Sequence, residues 1–234
     1  MLLTPYASSS RGNLYEVSDG RTRLLVECGL PLKKIHRLLD RPVTDYAACL
    51  VTHEHKDHSK AVGELLSRGV PCYMTQGTKD ALGDEAAFAT VVRYGKKVEI
   101  GSFSVKAFAT AHDCAEPCGW LIHSTTTVER LVFATDTAFI RYRFPGLTEA
   151  AVECNYSESQ LVQSELPPQV IDRIRATHMS FEQAGRWLVS NDLIGVRKVW
   201  LLHLSDRHSQ AWSFEQLIAK TTGIETEACK EVLK

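Results

Sequence analysis

No stretch of this sequence strings together the roughly 18 apolar residues that cross a bilayer, and its opening, MLLTPYASSSRGN, lacks the basic and then apolar pattern of a secretory signal. Membrane insertion is therefore not expected, and the cytoplasm is the expected compartment. An excess of one charge is also missing. The formal net charge is −1, so the molecule as a whole is no electrostatic trap for nucleic acid. Any grip on phosphate must come from a local basic patch or from bound metal. Internal repeats, charge blocks and low-complexity tracts are absent. The 7 cysteines are odd in number and irregularly spaced, which excludes a disulfide framework. Cys114 and Cys118 lie beside His112 but have no second Cys/His pair, so they are a weak basis for a structural zinc. What is present is ordinary for a globular chain: 44% hydrophobic and 24% charged residues over 234 positions. We read 1–234 as one domain large enough to bury a core.

The coarse pattern alternates strands and helices. NLYEV and TRLLVEC read as two strands around the turn SDGR, and LKKIHRLLD has helical apolar spacing behind Pro31. AACLVT is a short strand. SKAVGELLSRG reads as one helix from Ser59 as cap to Gly69. In FSVKAFATAH, residues Phe103, Val105, Ala107 and Ala109 alternate onto one face. GWLIHST, ERLVFATD, AAVECN and KVWLLH follow as strands. PPQVIDRI, SFEQAGRWLVSN (opened by Ser180 and Glu182) and SFEQLIAKTTG read as helices. Met74, Trp187, Trp200 and Trp212 are assigned to cores. Such an order implies a layered α/β domain with more than one sheet.

After the apolar strand comes THEHKDH, with His53, His55, Asp57 and His58 in the spacing H-x-H-x-D-H. A strand would set His53 and His55 on one face, and a tight loop at its end would let all four converge. Imidazole with carboxylate suits zinc, manganese or iron rather than calcium. Further ligand types end other strands: His112 after FSVKAFATA, Asp136 after RLVFAT and His203 after KVWLL. Polar residues at the ends of buried strands are where open α/β sheets place ligands.

Taken together, H-x-H-x-D-H, the strand-ending His112, FATDT and LLHLSDRH resemble the metallo-β-lactamase-fold hydrolases. YASSSRGNLYEV, LLVECG, HDCAEPCGW, ECNYS and ATHMSFEQA are similar to the motifs of the YycJ (WalJ)-like exonuclease branch, which is related to tRNase Z. Arg11, Glu27 and Ala138 depart from that branch's glycine, aspartate and glycine. The resemblance implies a four-layered αββα sandwich with two divalent metals, zinc or manganese, with iron also admitted. His53, His55 and His112 would hold one metal, Asp57, His58 and His203 the other, and Asp136 would bridge them. No β-CASP insertion or long tRNA-binding arm is visible.

His178, in ATHMSFEQA, resembles the histidine that faces the scissile phosphate in tRNase Z and YycJ-like enzymes. The resemblance therefore makes it the general acid, with Asp57 serving the water-activating pair. A helix-capping or core histidine is the alternative. Ser9, Ser10, Asn13 and Asn155 are candidate substrate contacts. In FIRYRFPG, Arg141 and Arg143 interleave with rings that could lie under the bases of a single strand; an ordinary aromatic-anchored loop is the alternative. Glu54 reads as solvent-facing and Asp113 as a residue that could orient His112. The expected function is a dinuclear-metal phosphodiesterase hydrolysing nucleic acid, first a single-stranded DNA exonuclease. A cyclic-nucleotide phosphodiesterase or other small-substrate hydrolase of the same fold, acting as a homodimer, is the alternative.

Overall fold

The structure is a computed structural model that describes residues 1–229. The chain is a mixed α/β fold whose strands form two sheets. It groups into two compact units that interleave along the sequence, Met1–Ala109 with Cys114–Glu129, and Thr110–Asp113 with Arg130–Cys229.

The first unit is built on strands β1 (Leu2–Ala7), β2 (Leu14–Ser18), β3 (Arg23–Val26), β4 (Ala48–Leu50), β5 (Cys72–Met74) and β6 (Thr90–Val91), ordered 1-2-3-4-5-6 in one sheet. The β1–β2 and β2–β3 pairs are antiparallel, and from β3 onward the pairing is parallel. The crossovers are helical: α1 (Leu32–Leu38) links β3 to β4, α2 (Lys56–Ser59) and α3 (Val62–Ser67) link β4 to β5, and α4 (Gln76–Leu82) follows β5. Leu32, Ile35 and Leu38 recur at helical spacing, and this stripe of α1 joins Leu14, Leu25, Cys49, Val51 and Leu65 in the unit's core. Strands β7 (Lys97–Ile100), β8 (Phe103–Ala109) and β9 (Cys118–Ser124) are antiparallel neighbours. The face read in FSVKAFATAH is buried at Phe103, Val105 and Ala107, but the alternation is not clean: Ser104 and Phe108 on the other face are buried too, Ala109 is half-buried, and Lys106 alone of β8 is exposed.

In the second unit, β10 (Arg130–Ala134), β11 (Glu149–Glu153), β12 (Lys198–Leu202) and β13 (Glu225–Ala228) run parallel. Helices α5 (Glu158–Val162), α6 (Pro168–Thr177) and α7 (Phe181–Val189) lie between β11 and β12, and α8 (Ala211–Thr222) precedes β13. The register sets Ala134 beside Val152 and Glu153 beside Leu202, so three consecutive strands end together on one edge.

Three readings from sequence need correction. The segment 59–69 is not one helix capped by Ser59. The backbone breaks at Ala61 between α2 and α3, and the Ser59 hydroxyl donates to the carbonyls of Glu54 and His55 instead. Helix α7 is opened by Ser180 as expected, but its capping-box partner is Gln183, and Glu182 instead accepts from the Glu158 N–H. Trp212 is not in a core; it is 73% exposed, whereas Met74, Trp187 and Trp200 are buried as expected. Strands β1, β5, β6, β7 and β13 were not anticipated, being short or without clean alternation.

Candidate metal centre

In the first unit the H-x-H-x-D-H segment leaves β4 and turns into α2. Two neighbouring segments hold its backbone. Asn13 donates its N–H to the Asp57 carbonyl at 2.8 Å, and the Cys28 N–H donates to the His58 carbonyl at 2.8 Å. Gly29 makes this approach feasible, because a Cβ there would lie 1.6 Å from the Asp57 carbonyl oxygen. The histidines consequently cluster: the rings of His53 and His55 have centroids 4.7 Å apart, and those of His53 and His58 4.2 Å. His53 and His58 are buried, whereas His55 and Asp57 are half-buried. Thr52 Oγ1 lies 2.9 Å from His53 Nδ1. Glu27, on left-handed backbone at φ 66°, is fully buried with Oε1 3.5 Å from His58 Nδ1. Burial drives the Glu27 carboxyl above its ordinary range, against the pull of His58.

The second unit gathers its ligand types from strand ends. Asp136 follows β10, Glu153 ends β11 and His203 follows β12. Asp136 and His203 both adopt positive φ, 46° and 52°, in a region that few non-glycine residues occupy. Such strain is concentrated at functional sites. His203 Nδ1 lies 3.3 Å from Asp136 Oδ1 and 3.5 Å from Glu153 Oε1. His112 comes in from its own loop, its Nε2 3.7 Å from Asp136 Oδ2 and its Nδ1 2.9 Å from the Thr177 carbonyl. Burial lowers the His112 pKa, favouring the neutral ring that a metal requires.

His178 is the C-terminal cap residue of α6, with its ring stacked on that of His203 at a centroid distance of 5.6 Å. Its Nδ1 donates to Glu153 Oε1 at 2.6 Å, and its side chain is 20% exposed, so this is not a core histidine. Burial works to lower its pKa, but the Glu153 carboxylate outweighs that and raises it. Glu153 is fully buried, and its other oxygen accepts from the N–H groups of Thr137 at 2.6 Å and Met179 at 3.2 Å. Burial works to raise its pKa, but His178, with His203 beside it, outweighs burial and holds the carboxyl below the usual range.

Donor chemistry tests whether such residues suit a cation. Asp136, Glu153, His178 and His203 each offer a nitrogen or oxygen, and these atoms all lie within 4.8 Å of one another. Mixed imidazole and carboxylate donors fit zinc, manganese or iron.

Sequence reasoning missed Glu153 and Glu27, which read as carboxylates inside apolar strands. The signal available was the cost of burying an unpaired carboxylate, which demands a partner. Glu54 is not solvent-facing, since its Oε1 accepts from the Ala115 N–H at 2.7 Å and braces the loop after His112. Asp113 lies 3.4 Å from His112 Nε2 and also pairs with Arg173, while the Thr177 carbonyl is the group at Nδ1. Asn13 places its amide 3.1 Å from His58 Nε2, and Asn155 donates to the His203 carbonyl at 2.8 Å. Ser9 lies in the turn before Asn13, its hydroxyl accepting from the Arg11 N–H, and Ser10 is exposed. Arg141 and Arg143 are exposed on the loop after Asp136.

Comparison with known proteins agrees with this picture. The family profile described as the beta-lactamase superfamily domain matches residues 22–204. A protein named exodeoxyribonuclease WalJ from Streptococcus pneumoniae is 27% identical over 220 residues, covering 87% of this chain and 81% of that one. One named exodeoxyribonuclease YycJ from Bacillus anthracis is 28% identical over 217 residues, covering 85% and 80%. Among solved structures, the metallo-beta-lactamase fold protein YhfI from Bacillus subtilis superposes with a TM-score of 0.76 at 17% identity, over 99% of this chain and 97% of that one. At that identity the likeness speaks for the fold.

Proposed function

The chain belongs to the beta-lactamase superfamily and is a metal-dependent hydrolase of the metallo-β-lactamase fold, and on that premise we propose that it is a nuclease, a phosphodiesterase trimming single-stranded DNA from an end. The observation that carries this reading is the His178–Glu153 pair, bonded at 2.6 Å beside Asp136 and His203. The names of the two exodeoxyribonuclease relatives point the same way.

In this reading His53, His55 and His112 would hold one divalent ion and Asp57, His58 and His203 a second, with Asp136 available to both. Zinc, manganese and iron all suit these donors. Bound there, the pair would supply a water acidified to hydroxide near neutral pH and positive charge for the phosphate oxygens. The protein's own groups do the rest. Glu153 accepts the Nδ1 proton of His178, which fixes the ring and turns Nε2 toward the reacting group. His178 then delivers the Nε2 proton to the departing deoxyribose oxygen, a poor leaving group unless protonated, as its bond to phosphorus breaks. Thr137 and Met179 N–H groups hold Glu153 in place, and His178 favours its ionised form. The substrate would be met by Ser9 and Ser10 on the first turn and by Asn155, Arg141 and Arg143, whereas Asn13, fully buried and bonded to the Ser9 and Asp57 carbonyls, braces that turn instead of contacting substrate.

A substrate panel tests this directly. Purified protein in zinc, manganese or iron is offered end-labelled single- and double-stranded DNA, RNA, cyclic nucleotides and a chromogenic lactam. Progressive shortening of the single strand, faster than any other reaction, is expected. Preferential turnover of a cyclic nucleotide or the lactam would overturn the proposal.

A further inference from the structure

The segment between Asp136 and β11 is exposed yet heavily fixed, a combination that an idle surface loop does not need. At its start the Ala138 N–H donates to the Ala111 carbonyl at 2.8 Å, and the Thr137 hydroxyl donates to the Phe139 carbonyl at 2.7 Å. In its middle the Tyr142 carbonyl accepts from Trp187 Nε1 at 2.9 Å, and the Phe144 N–H donates to Asn191 Oδ1 at 3.0 Å. Ile140 and Phe144 point inward and are buried, with Phe144 packing on Trp187 at a ring distance of 6.4 Å. Near its end the Pro145 carbonyl accepts from the Arg130 guanidinium at 3.1 Å.

With Ile140 and Phe144 as roots, the remaining side chains face water. Phe139 is 47% and Tyr142 38% exposed, and Arg141 and Arg143 are exposed between and beside them. Arg141 leans over the Phe139 ring at 5.9 Å, while no carboxylate among the described residues pairs with Arg141 or Arg143. Tyr142 packs along Phe144 at a ring distance of 6.2 Å and still reaches solvent, so two unneutralised guanidinium groups alternate with two solvent-exposed rings only a few residues past Asp136.

We propose that residues 139–143 form a preorganised platform for a single nucleic-acid strand, with Phe139 and Tyr142 stacking on bases and Arg141 and Arg143 pairing with successive phosphates. This rests on the nuclease reading and deepens it. Stacking needs bases that are already unpaired, so the platform selects a single strand over a duplex. Each ring face accepts any base, so it confers no sequence preference. The bonds to Trp187 and Asn191 mean that little ordering entropy is lost when the strand docks.

The test uses the metal-loaded protein and a fluorescent, cleavage-resistant phosphorothioate oligothymidylate, with binding followed by anisotropy over a salt series. F139A/Y142A should weaken single-strand binding by about 10-fold or more and leave duplex binding near wild type, since each stacked base contributes on the order of 1–3 kcal/mol. R141A/R143A should reduce the slope of log affinity against log salt by about 1.4, two phosphate contacts at roughly 0.7 each. Circular dichroism and melting curves confirm folding of both variants. If the wild type degrades single strands but both variants bind like it, the platform is wrong and the nuclease reading stands. A protein partner on this patch would give that same result. If the wild type neither binds nor degrades any nucleic acid, both fail together.

Discussion

His53, His55, Asp57 and His58 reach one another because they are neighbours in sequence, whereas Asp136, Glu153 and His203 do so because parallel strands end in register, with His112 brought to them by a loop and His178 by the end of α6. The first set is held by backbone bonds from Asn13 and Cys28 to the loop itself. The second is held by side chains on side chains, with Glu153 serving His178 and His203 at once. A local motif localises failure: losing one ligand spoils one position. In a shared network, a change at one member displaces the others.

The largest effect should follow from the local motif. Asp57→Ala is expected to reduce hydrolysis to background while the far-ultraviolet spectrum stays native, because Asp57 is half-buried and contributes little to a core. His58→Ala should abolish activity too and also lower the melting temperature, since it strands buried Glu27 without its imidazole. Metal content must be measured with each, because bound metal itself stabilises the native state. Retained wild-type turnover in Asp57→Ala would remove that residue from the centre.

The network predicts graded losses. His178→Ala should lower turnover of an oligonucleotide by about 10²–10⁴, the usual range for loss of a general acid. Glu153→Gln, which keeps the shape but weakens the brace, should lower it by about 10–100-fold. Both losses should shrink on a nitrophenyl phosphodiester, whose leaving group departs without a proton. Equal losses on the two substrates would exclude the acid role and leave His178 as a phosphate contact.

The same contrast explains what could be read before the structure. H-x-H-x-D-H is legible because its chemistry is compressed into consecutive residues too polar for a core. Asp136 and His203 were reachable because each follows an apolar run long enough to be a buried strand. His178 has no such local mark and entered only through resemblance. Glu153 and Glu27 were invisible because each stands within or beside a strand where period-two patterning predicts solvent, and only tertiary pairing shows them buried. The helix of 59–69 was misread because the apolar spacing at 62, 65 and 66 belongs to α3 alone, and Ser59, a residue type that often caps, closes α2 three residues earlier instead.

Away from the centre, the first unit again depends on a compact polar cluster. Asp19 accepts from the backbone of Arg21 and Thr22 and from the hydroxyls of Ser102 at 2.6 Å and Ser124 at 2.7 Å, tying the β2–β3 turn to β8 and β9. Burial opposes its ionisation, but these hydrogen bonds outweigh burial and lower its pKa from 3.8 to about 2. A folded-state pKa below the unfolded value stabilises fully above about pH 4, and that stability is lost as pH falls toward 2. Allowing for solvent screening, its contribution is about 1–2 kcal/mol. Urea titrations should show Asp19→Asn less stable by that amount at pH 6, with the gap narrowing below pH 4. A gap independent of pH would assign the effect to shape rather than charge.

The smallest effect is expected in the second unit, at Trp212, and it checks whether exposure there is real. Two residues of α8, two positions apart and so on opposite faces of the helix, make the comparison: Phe214 is 4% exposed and stacks on Phe181 at 4.8 Å, while Trp212 is 73% exposed. Phe214→Ala removes a packed ring and should cost about 3–5 kcal/mol. Trp212→Ala leaves no cavity, because little surrounds the indole, and Ala is the better helix former. Its effect on stability should stay within about 0.5 kcal/mol. Tryptophan emission supplies an independent readout. Trp120, Trp187 and Trp200 are buried and shielded from acrylamide, so the quenchable, red-shifted share of the emission should disappear with Trp212. If Trp212→Ala instead lowers the melting temperature as much as Phe214→Ala, the indole is packed in solution and the core assignment made from its sequence context is restored.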